Sequence, residues 1–197
     1  MESETKEVPV ERHPLEPFLP PNTRLLMLGS FPPPRKRWSM PFFYPNLSNQ
    51  MWLIFGEVFF GDSQRLVDAE HKTFRQKDIE ALLNEKGIAI FDTATAVKRL
   101  SGNASDKDLQ IVEKTDIPAL LAKIPICHDI VCTGQKSFSV LTEDYGVEVP
   151  KMGEHNIFTI NNREMRLWRM PSSSRAFPMP LKEKSDYYRK MIEMLLP

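Results

Sequence analysis

Side chains of the types that bind phosphate groups are concentrated in three short segments of this sequence. Cationic groups pair with phosphate oxygens, and hydroxyl groups and backbone N–H groups in tight loops or at helix starts hydrogen-bond to them. We therefore predict that these segments contact phosphates. The alternatives are a solvated charged turn, a plain serine turn and an ordinary helix start. The candidates are Arg35, Lys36, Arg37, Lys136, Ser137, Ser172, Ser173, Ser174 and Arg175.

Asp92 is well suited to recognise a hydrogen-bond donor. It directly follows the apolar run Ile88–Phe91, which predicts a buried strand that ends at the carboxylate. A carboxylate accepts N–H groups and repels a ring nitrogen that is itself an acceptor, so Asp92 could discriminate between heterocycles. The alternative is an aspartate that caps a helix or stabilises a loop.

The segment from Ser30 to Asn46 is a long predicted loop that combines cations with aromatic side chains. A loop of this length in a compact domain is usually functional or disordered. Phe43 and Tyr44 could form a surface on which a planar ring stacks, which typically contributes about 1–3 kcal/mol. The alternative is that both side chains pack the loop against the core.

Apolar runs and helical patterns alternate along the chain, which predicts a mainly parallel sheet with helices on both faces, a three-layer α/β/α sandwich. In such sheets the functional loops follow the carboxyl ends of the strands. The predicted strands are 24–29, 88–91, 130–132, 156–160 and 165–170, and the predicted helices begin near Leu47 or cover 75–86, 113–123, 135–145 and 181–196. The predicted functional loops are Ser30–Asn49, Asp92–Arg99, Thr133–Ser137 and Pro171–Phe177.

The composition indicates a single domain over residues 23–197, preceded by an irregular, proline-bearing arm at 1–22. The formal net charge is zero, which does not favour a protein that coats nucleic acid by bulk electrostatics but is compatible with a basic face.

Cys127 and Cys132 are predicted to be buried free thiols, and two cysteines cannot hold a four-thiolate cluster. Neither a signal peptide nor a membrane span is predicted, so we expect a cytoplasmic protein. The four histidines have no metal-ligand spacing, and no role follows for His13, His71, His128 or His155.

Taken in order, these loops resemble the uracil-DNA glycosylase superfamily, with the greatest similarity to its hypoxanthine-DNA glycosylase branch. Phe31 and Met170 stand where other branches carry asparagine and histidine, and the hypoxanthine branch shares both differences. The resemblance spans about residues 24–195. The matching segments are Gly29-Ser30-Phe31-Pro32, Phe43-Tyr44, Asn49-Gln50-Met51-Trp52, Ile88–Arg99, Gly134-Gln135-Lys136 and Pro171-Ser172-Ser173-Ser174.

The resemblance implies a monofunctional DNA-repair glycosylase that hydrolyses the N-glycosidic bond of uracil or hypoxanthine in DNA, as a monomer without metal or cofactor. Asn49, in the first turn of a predicted helix, would orient the attacking water or polarise the base, and Asp92 would read the base edge or activate the water. The phosphate-binding candidates would then contact DNA. The base pocket would comprise Ser30, Phe31, Phe43, Tyr44 and Thr93.

Two other function classes are compatible with the sequence. One is a module on the same fold that binds damaged DNA without catalysis. The other is a flavodoxin-like enzyme that acts on a nucleotide or a phosphate ester, although no glycine-rich phosphate loop of the common types is present. Salt-dependent affinity for DNA would argue against the second of these.

Overall fold

The computed structural model describes residues 8–101 and 106–196, and within these ranges the chain forms ten strands and five α-helices. Buried apolar residues line most of the strands and the inner faces of the helices. The strands are β1 (Val10–Arg12), β2 (Leu25–Gly29), β3 (Val67–Asp68), β4 (Thr73–Phe74), β5 (Ile88–Asp92), β6 (Ala94–Arg99), β7 (Leu109–Lys114), β8 (Asp129–Cys132), β9 (His155–Ile160) and β10 (Arg163–Arg169). The helices are α1 (Met51–Phe60), α2 (Gln76–Lys86), α3 (Ile117–Lys123), α4 (Gln135–Tyr145) and α5 (Leu181–Leu195).

Five strands form the central sheet in the order β5-β2-β8-β10-β9. All neighbours are parallel except the hairpin of β10 with the edge strand β9. β2 and β5 are mostly apolar runs with buried residues on both faces, as expected of parallel strands that are covered on both faces of the sheet. The mainly parallel sheet predicted from the sequence is therefore confirmed, whereas the three-layer arrangement stays a prediction.

The registers bring the carboxyl ends of the parallel strands to one edge of the sheet. Gly29 of β2 is level with Asp92 of β5, and Cys132 of β8 is level with Arg169 of β10. The segments after these strands therefore begin side by side. This is the edge at which parallel α/β sheets bind their ligands.

The segment after β5 differs from the predicted loop Asp92–Arg99. Only Thr93 separates β5 from β6, which joins β1 and β7 in an antiparallel sheet with the order β1-β6-β7. The loop prediction was wrong because β6 is stabilised by pairing with β7, which follows it along the chain, and with β1, which lies more than 80 residues before it. For the same reason the helix predicted over 113–123 begins only at Ile117, after β7 and the N-cap Asp116.

The predicted N-terminal arm is not irregular throughout. Its described part forms β1, which pairs with β6, and Phe18 forms an isolated bridge with Ile90 of β5. The His13 backbone N–H also donates to the Thr95 carbonyl at 2.8 Å. The arm is therefore bound to the sheet by main-chain hydrogen bonds, while the division of the chain at residue 22 stays a prediction.

Both cysteines are buried free thiols, as predicted. Burial raises the pKa of the Cys127 thiol to about 11 and that of Cys132 to about 12, because the thiolate would lose its hydration. Within the described part of the chain, none of the helices has the length and apolar character needed to cross a membrane.

Candidate active site

The carboxylate of Asp92 forms a buried pair with a histidine from the N-terminal arm. His13 Nε2 donates to Asp92 Oδ2 at 2.8 Å, and the two side chains are 3% and 11% exposed. No role followed for His13 from the sequence, because 79 residues separate it from Asp92. The only sequence signal was its position next to a short segment capable of pairing as a strand.

The other ring nitrogen of His13 can hydrogen-bond in either of two ways. Nδ1 lies 3.1 Å from the Leu15 backbone nitrogen and 2.9 Å from the Leu15 carbonyl oxygen. A neutral ring accepts the Leu15 N–H at Nδ1, whereas a protonated ring donates from Nδ1 to the carbonyl. Nε2 faces Asp92 Oδ2 in both cases.

Aromatic side chains surround the His13 ring. The ring centroids of Phe91, Phe31 and Phe43 lie 4.6, 5.4 and 6.2 Å from that of His13. Phe43 is buried in the main core, so in this conformation it packs the loop and supports His13 rather than presenting a free stacking face. Phe31 is half-buried and meets His13 edge to face.

The second oxygen of Asp92 lies against the main chain of Gly29. A Cβ atom at position 29 would collide with Asp92 Oδ1, so only glycine allows the carboxylate to approach β2 this closely. The Tyr44 hydroxyl oxygen is 3.9 Å from that Cβ position. Tyr44 has a left-handed backbone (φ 48°), an unusual conformation for a bulky residue.

Two other predicted pocket residues adjoin this group through the main chain. The Thr93 N–H donates to the Gly29 carbonyl at 2.9 Å, and the Ala94 N–H donates to the Ser30 carbonyl at 3.3 Å. The Thr93 hydroxyl is buried and has no hydrogen-bond partner among the residues that the structure describes. The structure thus brings together the predicted residues Ser30, Phe31, Phe43, Tyr44, Asp92 and Thr93.

Asn49 lies in a second group, at the start of α1. Its Oδ1 accepts the Met51 N–H at 2.9 Å, and its main chain bridges to Ser174. The Gln50 N–H also donates to the Ser173 carbonyl at 2.8 Å. Asn49 and the serine loop, predicted separately, are therefore neighbours, and the oxygen of the Asn49 amide stabilises the helix start.

A buried lysine stands beneath this second group. Lys184 of α5 is fully buried, and its Nζ donates to Gln50 Oε1 at 2.9 Å and to the Ser174 carbonyl at 2.7 Å. Both acceptors are neutral, and burial lowers the pKa of Lys184. The sequence signal was a lysine on the inward stripe of α5, at helical spacing from Tyr188, Met191 and Ile192.

Tyr44 and Trp52 connect the two groups. The Trp52 indole N–H donates to the Phe43 carbonyl at 3.1 Å, and its ring lies 5.9 Å from that of Tyr44. Tyr188 donates to the Pro171 carbonyl at 3.0 Å, and burial together with the nearby Tyr44 raises the pKa of Tyr188. The Asp92 group and the Asn49 group therefore border one region.

The predicted phosphate contacts differ in accessibility. Ser137 is fully buried and its hydroxyl donates to the Gly134 carbonyl at 2.8 Å, and Ser173 is also buried. Neither hydroxyl is exposed in this conformation, and contact of these two side chains with DNA stays a prediction. Ser172 is half-buried, whereas Ser174 and Arg175 are exposed.

The basic tripeptide Arg35, Lys36 and Arg37 forms an exposed turn of 3₁₀ helix, in which the Arg35 guanidinium stacks on Trp38 at 4.2 Å. Lys136 is half-buried and lines a surface depression of about 640 Å³ between β7 and α4.

Among residues 8–101 and 106–196, no three His, Cys, Asp or Glu side chains cluster in a way that could hold a metal ion.

Comparisons with known proteins support the fold. No protein-family model matches the sequence, and no curated protein is detectably similar to it. Among solved structures, the chain is similar to a candidate uracil DNA glycosylase from Methanosarcina acetivorans, determined by solution NMR. The two superpose with a TM-score of 0.60 at 22% identity, over 93% of this chain and 99% of that one. The chain therefore has the fold of that protein.

Proposed function

We propose that this protein is a DNA glycosylase that hydrolyses the N-glycosidic bond between deoxyribose and a deaminated base, uracil or hypoxanthine. The observation that carries the proposal is the buried Asp92 carboxylate at the carboxyl edge of the sheet, with Oδ2 held by His13 and Oδ1 against Gly29. The similarity in fold to a candidate uracil DNA glycosylase supports it.

The chemistry of Asp92 fits the recognition of a deaminated base. Uracil N3 and hypoxanthine N1 carry a hydrogen, whereas the corresponding ring nitrogens of cytosine and adenine are acceptors. An ionised carboxylate accepts the first kind of edge and repels the second. A base can reach such a site only after rotating out of the duplex, as in other enzymes that act on single bases.

Asn49 would act on the departing base. Its Oδ1 already accepts the Met51 N–H, so its Nδ2 group is the part suited to donate to a carbonyl of the base. The leaving base departs with its electron pair as a delocalised anion, and the sugar becomes oxocarbenium-like until water adds to it. A positioned donor stabilises that anion without proton transfer. Asp92 is the alternative group for orienting the water.

The exposed hydroxyl and cationic groups would hold the DNA backbone. Ser172, Ser174 and Arg175 follow β10 close to Asn49, and the basic tripeptide extends from the segment after β2. Contacts of this kind fix the register of the DNA and carry no base specificity.

Phe31 and Met170 differ from the asparagine and histidine of other uracil-DNA glycosylase branches and favour the hypoxanthine branch, so hypoxanthine is tested beside uracil.

A second candidate is a module that binds damaged DNA without cleaving the glycosidic bond. The engagement of Asn49 Oδ1 in the start of α1 favours it, because an asparagine that only stabilises a helix start contributes nothing to hydrolysis.

Base release from oligonucleotides that each carry one uracil, hypoxanthine or xanthine decides between the candidates. The assay uses single strands and duplexes, with chelator present. We expect release by the wild-type protein and a large loss in Asn49→Ser, which keeps an oxygen for the Met51 N–H but removes the amide donor. Tight binding without release would favour the binding module. Neither release nor binding would refute both candidates.

A further inference from the structure

We infer that His13 is a positioning residue that sets base specificity at this site, by holding the Asp92 carboxylate in a fixed orientation. The inference rests on the proposed function and deepens it, since it makes the N-terminal arm part of base recognition. Its starting point is the hydrogen bond from His13 Nε2 to Asp92 Oδ2, between two nearly buried side chains.

His13 is held firmly enough to orient the carboxylate. Its backbone N–H is bonded to Thr95, its ring is bonded to Leu15, and Phe31, Phe43 and Phe91 surround it. The preceding strand β1 is anchored a second time, because the buried Arg99 guanidinium pairs with Glu11 at 3.1 Å and donates to the Pro32 carbonyl at 3.0 Å. Arg99 of β6 therefore binds both the N-terminal arm and the segment that follows β2.

The orientation of the Asp92 carboxylate decides which base edge it can bind. A carboxylate oxygen accepts the N–H of uracil or hypoxanthine and repels the ring nitrogen of cytosine or adenine. The His13 ring occupies Oδ2, so Oδ1 is the atom left to read the base. A side chain free to rotate would hold that acceptor less firmly.

Other titratable groups border the pair. The Tyr44 hydroxyl lies near Gly29, and the Arg99–Glu11 ion pair joins β6 to β1. Neither replaces His13, since the hydrogen bond to Oδ2 comes from its ring. A purely structural role remains the competing explanation, in which His13 only packs the arm onto the sheet.

Two substitutions at position 13 separate these explanations. His13→Phe keeps an aromatic ring among its neighbours and removes the donor, whereas His13→Gln keeps an N–H donor and removes the ring. If the hydrogen bond matters, His13→Gln retains most activity, and His13→Phe releases uracil and hypoxanthine about 10-fold to 100-fold more slowly. In His13→Phe, release of cytosine or adenine relative to the damaged base also increases.

A wild-type rate in His13→Phe, with His13→Gln impaired, would overturn the inference in favour of packing. A crystal structure of His13→Phe gives a readout independent of activity: we expect the Asp92 side chain to leave its wild-type orientation. An unchanged orientation of Asp92 would also overturn the inference. If the wild-type protein released no base at all, the proposed function would fail, and that structure would still decide what His13 does to Asp92.

Discussion

Residues 8–101 and 106–196 contain two histidine–aspartate pairs of nearly equal length in different surroundings. His13 and Asp92 are 2.8 Å apart, with side chains 3% and 11% exposed among aromatic rings. His71 and Asp68 are 2.9 Å apart in the β3–β4 hairpin, with side chains 69% and 30% exposed. The N···O distance alone therefore does not distinguish the pair proposed to take part in base recognition from the pair that stabilises a turn.

Burial and chain connectivity make the difference. The exposed pair joins residues three apart, where solvent screens the charges and water can replace either partner. The buried pair joins the arm to the end of β5, where an unpaired carboxylate would be costly because water does not reach it freely. Only the buried pair can present a carboxylate oxygen of fixed orientation to a ligand.

The largest predicted contrast is in base release. Asp92→Asn replaces a carboxylate oxygen by an amide, which can present a donor to the base edge, so we expect release to fall about 100-fold or more. Asp68→Asn, at the exposed pair, should change the rate by less than about twofold. Single-turnover assays with enzyme in excess measure both, and equal effects of the two substitutions would contradict the distinction between the pairs.

The next contrast is in stability. His13→Phe leaves the buried Asp92 carboxylate without its donor, which should lower the free energy of unfolding by about 1–3 kcal/mol. His71→Phe removes an exposed pair and should change it by at most about 0.5 kcal/mol. Urea unfolding followed by circular dichroism measures both values. A destabilisation by His71→Phe as large as that by His13→Phe would show that burial is not what separates the pairs.

The smallest predicted effect concerns the exposed pair at acidic pH. The His71 backbone N–H, followed by its side chain, lowers the pKa of Asp68 from 3.8. A lowered folded-state pKa means that the stabilisation is present above the unfolded-state value and is lost as pH falls through the folded-state value. His71→Ala should return the Asp68 titration, followed by NMR, part of the way toward 3.8, because the backbone N–H remains.

Local patterns in the sequence predicted the elements whose stability is local. The run before Asp92 is β5, the pattern over 135–145 is α4, and Gly87 ends α2 with φ 67°. Asp92 itself was identified because it follows a buried strand. Prediction failed for β6 and β1, whose pairing joins residues far apart, and the segment Ala94–Arg99 was interpreted as a loop for that reason.

The same limit explains His13. Nothing within a few residues of it indicates a carboxylate partner, because the contact depends on β1 reaching β6 and on β5 ending at Asp92. Asn49 shows the converse: its position at a helix start was predicted, yet its hydrogen bond to Met51 became visible only in the structure. Whether these residues act on DNA stays a prediction.

Removing the hydrogen that Asp92 is proposed to read is the most direct test of the central claim. Single-turnover release is compared for matched oligonucleotides carrying uracil or N3-methyluracil, and hypoxanthine or N1-methylhypoxanthine, with wild type and Asp92→Ala. Asp92→Ala provides room for the methyl group. The account predicts that wild type releases the methylated bases at least about 100-fold more slowly, and that this discrimination collapses in Asp92→Ala. Equal release of methylated and unmethylated bases by the wild-type protein would contradict the assignment of Asp92 as the reader of the base.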